Sequence, residues 1–346
     1  MKTLQRAATT IPNESASLVT AKNPKPRVRD WSEKYGLLIL FAIMFGFFGI
    51  YGKTGSVFLS RANLLSLLGG QMVVLVVALA VMLPLTAHFF DLSTGAICGV
   101  TSIVCATMMS RFHDPVVIAI AAAIIVGALL GTINGVLIAK FGLSSVIATL
   151  AMSTALSGAM VWYTQGNEIS SNISTGLTNF GSLNLLGVPR LLYAVVPLAA
   201  IEWYMLEHTP MGRYIRAIAS NTRSAQLVGI KVKNIGVTVF ISSGALAGVA
   251  GVLLTANSGG ANATSGPSFL FPALAAVFLG ATVIKPGRPN VVGTIVGVFF
   301  VAFSVSGLSL MGASSWVSDL FNGVVLFAAA SISTIFARQR GGTRIF

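Results

Sequence analysis

Leu64-Leu65-Ser66-Leu67-Leu68-Gly69-Gly70-Gln71-Met72-Val73-Val74-Leu75-Val76-Val77-Ala78-Leu79-Ala80-Val81-Met82-Leu83 is a run without a single charge. As a helix it rises about 30 Å, the thickness of the hydrocarbon core of a bilayer. Comparable runs lie at Leu37–Tyr51, Val116–Ile138 and Val237–Ala256. Across the chain 55% of residues are hydrophobic and 9% charged, with a mean hydropathy of +0.85. A soluble domain carries about 25% charged residues. The sequence therefore reads as an all-α, polytopic membrane helix bundle.

Working outward from residues 64–83, about ten spans are predicted: 35–51, 64–83, 93–109, 116–138, 146–163, 191–206, 237–256, 269–284, 293–311 and 316–336. The net charge of +13 could point to nucleic acid, but the basic residues flank the apolar runs and do not line one polar face. With the N-terminus in the cytoplasm, Lys2, Arg6, Lys22, Lys25, Arg27, Arg29, Lys34, Lys140, Arg213, Arg216, Arg223, Lys231, Lys233, Lys285, Arg288, Arg338, Arg340 and Arg344 fall inside. Lys53, Arg61, Arg111 and Arg190 fall outside. That asymmetry sets the orientation, places both termini in the cytoplasm and demands an even number of spans. The organisation expected is a cytoplasmic arm over 1–34, a membrane domain over 35–336 with an inner loop at 207–236, and a cytoplasmic tail over 337–346. The arm lacks a short apolar core with a cleavage site, so no cleaved signal peptide is expected.

Enzyme chemistry is poorly represented. His88, His113 and His208 are scattered, so neither a metal site nor catalytic residues are expected. Gly52-Lys53-Thr54 imitates the end of a phosphate loop, but Phe47 stands where that motif needs glycine. Any ATP must be hydrolysed by another subunit. Asn172-Ile173-Ser174 and Asn262-Ala263-Thr264 match glycosylation acceptors, a match short enough to arise by chance. Cys98 and Cys105 are seven residues apart, about 10 Å along a helix, too far to pair.

Small and polar residues inside the spans carry more information. Gly127, Gly131 and Gly135 share one helix face, as do Gly95 and Gly99, Gly244 and Gly248, and Gly293 and Gly297. Such stripes let helix backbones approach closely. The second to fifth and seventh to tenth spans suggest inverted repeats, with glycine stripes on the third helix of each. Asp91 follows Pro84, which is expected to break the preceding helix, and Asp91 is expected to cap the next one. An acid at this depth is also a candidate for transport itself. Asp91, Ser93, Asn134, Thr149 and Asn257 form the candidate path, against the alternative that they glue helices together.

The inner loop holds Asn221, a helix cap, and Gly229, a helix stop, with Ala225 and Leu227 between them. A short docking helix for a cytoplasmic partner is expected there, against a plain connector. An aspartate at Ala225 is expected to bury a charge at that contact.

Several ordered segments resemble the ribose-type ABC importer permeases. Gly212-Arg213, Ala217-Ile218 and the stretch from Asn221 through Arg223, Ala225 and Leu227 to Gly229-Ile230 are similar to that family's coupling loop. Asp91-Leu92-Ser93-Thr94-Gly95, Gly131-Thr132-Ile133-Asn134-Gly135, Val146-Ile147-Ala148-Thr149-Leu150, Ala247-Gly248-Val249-Ala250-Gly251 and Leu279-Gly280-Ala281-Thr282 extend the likeness over about residues 35–336. The turn Lys285-Pro286-Gly287-Arg288-Pro289-Asn290 departs from the family's glycine-rich pattern. The resemblance implies a bacterial inner-membrane permease paired with a second copy or close homologue. A cytoplasmic ATP-binding subunit would carry the ATP and magnesium, and an extracytoplasmic binding protein would deliver a monosaccharide or similar polyhydroxylated solute. The rival is a secondary transporter or channel without an ATPase. Such a protein usually pairs ionisable groups in mid-span, whereas Asp114, Glu168, Glu202, Glu207 and Asp319 are expected near span ends.

Overall fold

A computed structural model describes residues 28–52 and 54–339. Lys53, most of the expected N-terminal arm and residues 340–346 lie outside the described residues. The helices are α1 (Val28–Ile50), α2 (Gly55–Phe58), α3 (Arg61–Thr86), α4 (Thr94–Ser110), α5 (Val116–Gly135), α6 (Ser145–Thr164), α7 (Thr175–Ser182), α8 (Arg190–His208), α9 (Pro210–Ser220), α10 (Thr222–Leu227), α11 (Val232–Ser258), α12 (Ser265–Ser268), α13 (Leu270–Gly280), α14 (Val291–Leu310) and α15 (Trp316–Gln339). After α5 the chain widens into a π-helical turn over Val136–Lys140. A two-residue hairpin, β1 (Asn184–Leu185) with β2 (Val188–Pro189), precedes α8.

The run over residues 64–83 lies at the centre. From Met72 to Leu85 every residue of α3 is buried. A helix apolar on all sides has no face that prefers water, so it serves as a core for others to pack on. Among the described residues six helices are long and apolar enough to cross a bilayer, and three shorter apolar helices accompany them. Pro84 does not end α3: the helix runs on to Thr86. The chain then turns at Ala87 and at His88, whose φ of 63° is left-handed. The helix continues for only two residues beyond the proline.

Helix contacts repeat in a swapped pattern. α3 packs on α13 and α14, as α11 packs on α4 and α5. α4 packs on α5 and α6, as α13 packs on α14 and α15, and α3 meets α11 directly. This exchange fits the expected inverted repeats. The glycine stripes, however, seat different partners. A Cβ on Gly127 would fall on the Gly244 carbonyl, one on Gly131 on the Phe240 carbonyl, and one on Gly135 within 2.9 Å of the Val237 Cα. α5 therefore lies backbone to backbone on α11, with Gly244 and Gly248 supplying the other side. Gly293 and Gly297 on α14 instead meet Gly280 and Ala276 of α13, and Gly95 and Gly99 meet Leu270 and Pro267. The two third helices share a composition and not a packing surface.

Among the described residues, several connections meet others expected on the same side. Ile169 bridges Ala261. The Arg111 guanidinium lies 4.9 Å from the Tyr163 ring centre, and Ser110 and Ser171 hydroxyls are 3.0 Å apart. All belong to segments predicted outside or, for Tyr163, to the outer end of the predicted span 146–163. On the opposite side Lys285 pairs with Glu207, and the Ser145 hydroxyl accepts the Phe90 amide at 3.1 Å.

Candidate functional site

The long inner loop folds into an elbow. Thr209 ends α8, its hydroxyl donating to the Met205 carbonyl at 2.6 Å, and Pro210 opens α9. Proline suits that first helical position because its missing N–H would be unpaired there anyway. Gly212 makes the bend possible, since a Cβ there would overlap the Leu206 backbone. Ile215 and Ile218 are buried and Ala217 half-buried, while Arg213 and Tyr214 face out. The amphipathic α9 thus lies with one face on the bundle.

Asn221 caps α10, its Oδ1 accepting the Ser224 amide at 2.9 Å. Gly229, at φ 85°, stops it, with the Ile230 amide donating back to the Ala225 carbonyl at 3.0 Å. The orientation of α10 corrects one expectation. Ala225 is 3% exposed and packs inward, so an aspartate there would bury its charge inside this chain and not against a partner. The outward residues are Leu227 and Val228, 83% and 76% exposed, next to exposed Arg223. Ile230 is half-buried behind them. At the root of the elbow Glu207 Oε2 meets Lys285 Nζ at 2.6 Å and Arg216 at 3.5 Å.

Four of the five candidate path residues come together. Asp91 Oδ1 accepts the Ser93 amide at 2.9 Å and the Ser93 hydroxyl at 2.6 Å. Asn134 Nδ2 donates to the Ser93 hydroxyl at 2.8 Å. Thr149 Oγ1 accepts the Leu92 amide at 3.0 Å and donates to the Ser145 carbonyl at 2.7 Å. All four residues are buried. Ser93, not Asp91, occupies the cap position of α4, and Asp91 fixes the turn just before it. Asn257 lies apart and exposed, at the far end of α11.

Sequence reasoning missed three participants. Ser243 of α11, fully buried, donates to Asp91 Oδ2 at 3.3 Å. Ser145 anchors Phe90, and Asn290 joins α13 to α14. The Asn290 Nδ2 donates to the Gly280 carbonyl at 3.0 Å while its Oδ1 accepts the Gly293 amide at 2.8 Å. A helix-cap signal, asparagine before an apolar run, was available for Asn290. Glu202, expected near a span end, is 4% exposed, and among the described residues neither carboxylate oxygen has a hydrogen-bond partner.

Residues 63–330 match the family described as branched-chain amino acid transport system / permease component. The chain is 34% identical over 275 residues to the ribose import permease protein of Haemophilus influenzae, covering 79% of this chain and 85% of that one. It is 37% identical over 277 residues to the ribose import permease protein of Bacillus subtilis, covering 79% and 84%. The D-allose transport system permease protein of Escherichia coli is 28% identical over 306 residues, covering 88% and 93%. No solved structure matches.

Proposed function

This chain belongs to the branched-chain amino acid transport system / permease component family, as a ribose-type permease subunit of an ABC importer, and from that premise we propose that its cargo is a monosaccharide or similar small polyhydroxylated solute. The observation that carries the mechanism is the exposed Leu227–Val228 pair at the end of a capped, braced α10. Two adjacent apolar side chains on the cytoplasmic face suit a groove on a cytoplasmic ATP-binding subunit. That subunit holds the nucleotide and magnesium, and its closure moves the elbow. A motion is driven only if the docked helix binds one ATPase state better than the other. An external binding protein delivers the solute to the opposite side.

The reading includes ten crossings in a bacterial inner membrane with both termini in the cytoplasm. Its support is the segregation of loop contacts, because one crossing added or lost would bring opposite-side segments together. The Asp91, Ser93, Asn134 and Thr149 cluster anchors the turn between α3 and α4. The passage runs along an outer face, against a second permease copy. α6 and its repeat counterpart α15 are the least buried of the six long apolar helices. The exposed face of α6 carries Ala151, Thr154, Ala155, Gly158 and Ala159. Small and hydroxyl-bearing side chains leave room for a polar solute between two copies. On oxidation Thr154→Cys is expected to form a disulfide-linked dimer in membranes, and Ile125→Cys on the exposed face of α5 is expected not to. A dimer from Ile125→Cys and none from Thr154→Cys would place the interface elsewhere.

The deciding experiment reconstitutes the chain in vesicles with its ATPase and binding protein. ATP-dependent accumulation of ribose or allose, and not of leucine, is the expected result. Accumulation of leucine would make the cargo an amino acid. Concentrative uptake by the chain alone would remove the ATPase from the mechanism.

A further inference from the structure

The turn Lys285–Asn290 walls a cavity of about 480 Å3. The other walls are the end of α8 and the start of the elbow, with Trp203, Leu206, Glu207 and Arg216, and the end of α3, with Thr86 and His88. Small-molecule sites typically occupy about 300–1,000 Å3 and combine apolar walls with a few convergent polar groups.

The charge is unbalanced. Arg216, Lys285 and Arg288 line the cavity against one carboxylate, Glu207. Glu207 Oε2 already engages Lys285 and Arg216, and among the described residues Arg288 has no ion pair. α14 opens at the wall with Val291, adding the positive end of its dipole. Burial pushes the His88 imidazole below its usual pKa, leaving a neutral ring that needs no counter-charge. Trp203 supplies a flat apolar surface, held edge-on by the His208 ring at 4.9 Å.

The walls are also preorganised. Pro286 and Pro289 restrict the turn, and Asn290 ties it to the Gly280 and Val283 carbonyls at 3.0 and 3.2 Å. Ile284 is held at φ 64°, a conformation a β-branched residue adopts only when its surroundings impose it. Rigid walls lower the ordering cost of binding.

We propose that this cavity binds a small phosphorylated organic anion, its phosphoryl group among Arg288, Lys285 and Arg216 and its carbon skeleton against Trp203. A phosphate monoester carries about −1.5 to −2 at neutral pH, which matches the surplus of two positive charges. The occupant bridges the elbow and the α13–α14 turn, so it restrains the parts that ATP-driven closure must move. The site does not depend on which solute the passage carries.

Full-length chain in phosphatidylcholine nanodiscs tests this, using ribose 5-phosphate with calorimetry and tryptophan fluorescence, and ribose as control. Ribose 5-phosphate is expected to bind and ribose not. Arg288→Ala should weaken binding about 10-fold or more while uptake without the phosphate stays normal. Trp203→Leu should remove the fluorescence change. A response only to phosphatidic acid placed in the nanodisc, with the same dependence on Arg288, would keep the phosphoryl site and give it a lipid source. No response to either probe, or a response untouched by Arg288→Ala, would overturn the proposal. So would loss of ribose 5-phosphate binding when the ATPase docks, since the partner would then own the cavity.

Discussion

An importer carrying Leu227→Asp is expected to take up solute at least about 100-fold more slowly than the unmodified protein, the scale of a lost interface hot spot. The chain itself should remain folded. Leu227 is 83% exposed, so its side chain contributes little to the permease's own packing. Exposed substitutions away from special features change stability by about 0.5 kcal/mol or less. The helix that presents it does not depend on it either: Asn221 secures one end, the glycine turn at Gly229 the other, and Ala225 the buried side. In a docked complex the same carboxylate would enter an apolar groove without a partner, which favours dissociation. Uptake, co-purification of the ATPase and monodispersity of the permease are the measurements. Ala225→Asp gives the contrast. It should lower the yield of folded chain, because the charge lands inside the bundle. Normal uptake in Leu227→Asp would remove α10 from the coupling contact.

The contrast between those two positions marks what the sequence could and could not convey. A bilayer dictates length and polarity so strongly that the long apolar helices were readable one at a time. The predicted 146–163 became Ser145–Thr164, and 116–138 became Val116–Gly135 with its π-helical extension. The cap at Asn221 and the stop at Gly229 were readable for the same reason, since each acts within a few residues. The facing of α10 was not, because six residues make too few turns for a pattern of burial to emerge. The polar cluster divides along the same line. Asp91 and Ser93 are neighbours in sequence, but Ser243 is 152 residues away and one of several serines in the spans. The packing of α11 on α3, α4 and α5 brings it to the carboxylate. Lys285 looked like an ordinary inside charge until the elbow placed Glu207 beside it.

Asp91→Ala is expected to deplete the folded permease, whereas Asp91→Asn is expected to preserve it. In the alanine variant the Ser93 amide loses its acceptor, as do the hydroxyls of Ser93 and Ser243, all in buried residues. Each buried donor left unsatisfied costs about 1–3 kcal/mol. Hydroxyls can rotate toward other acceptors but a backbone amide cannot, so a total of roughly 1–6 kcal/mol follows from one to two such losses. That is a large share of a typical stability of about 5–15 kcal/mol. Asparagine keeps one acceptor oxygen for the Ser93 pair and places an amide toward Ser243. The Ser243 hydroxyl can turn to accept that amide, since a hydroxyl is both donor and acceptor. It also removes the cost of burying a charge among helices. Thermal unfolding in detergent and solute uptake, measured on both variants, separate anchoring from chemistry. If the cluster anchors the turn before α4, uptake should follow stability, falling in Asp91→Ala and surviving in Asp91→Asn. If Asp91→Asn folds normally and yet transports nothing, the carboxylate's charge is itself used in the transport cycle, and the anchoring role is insufficient.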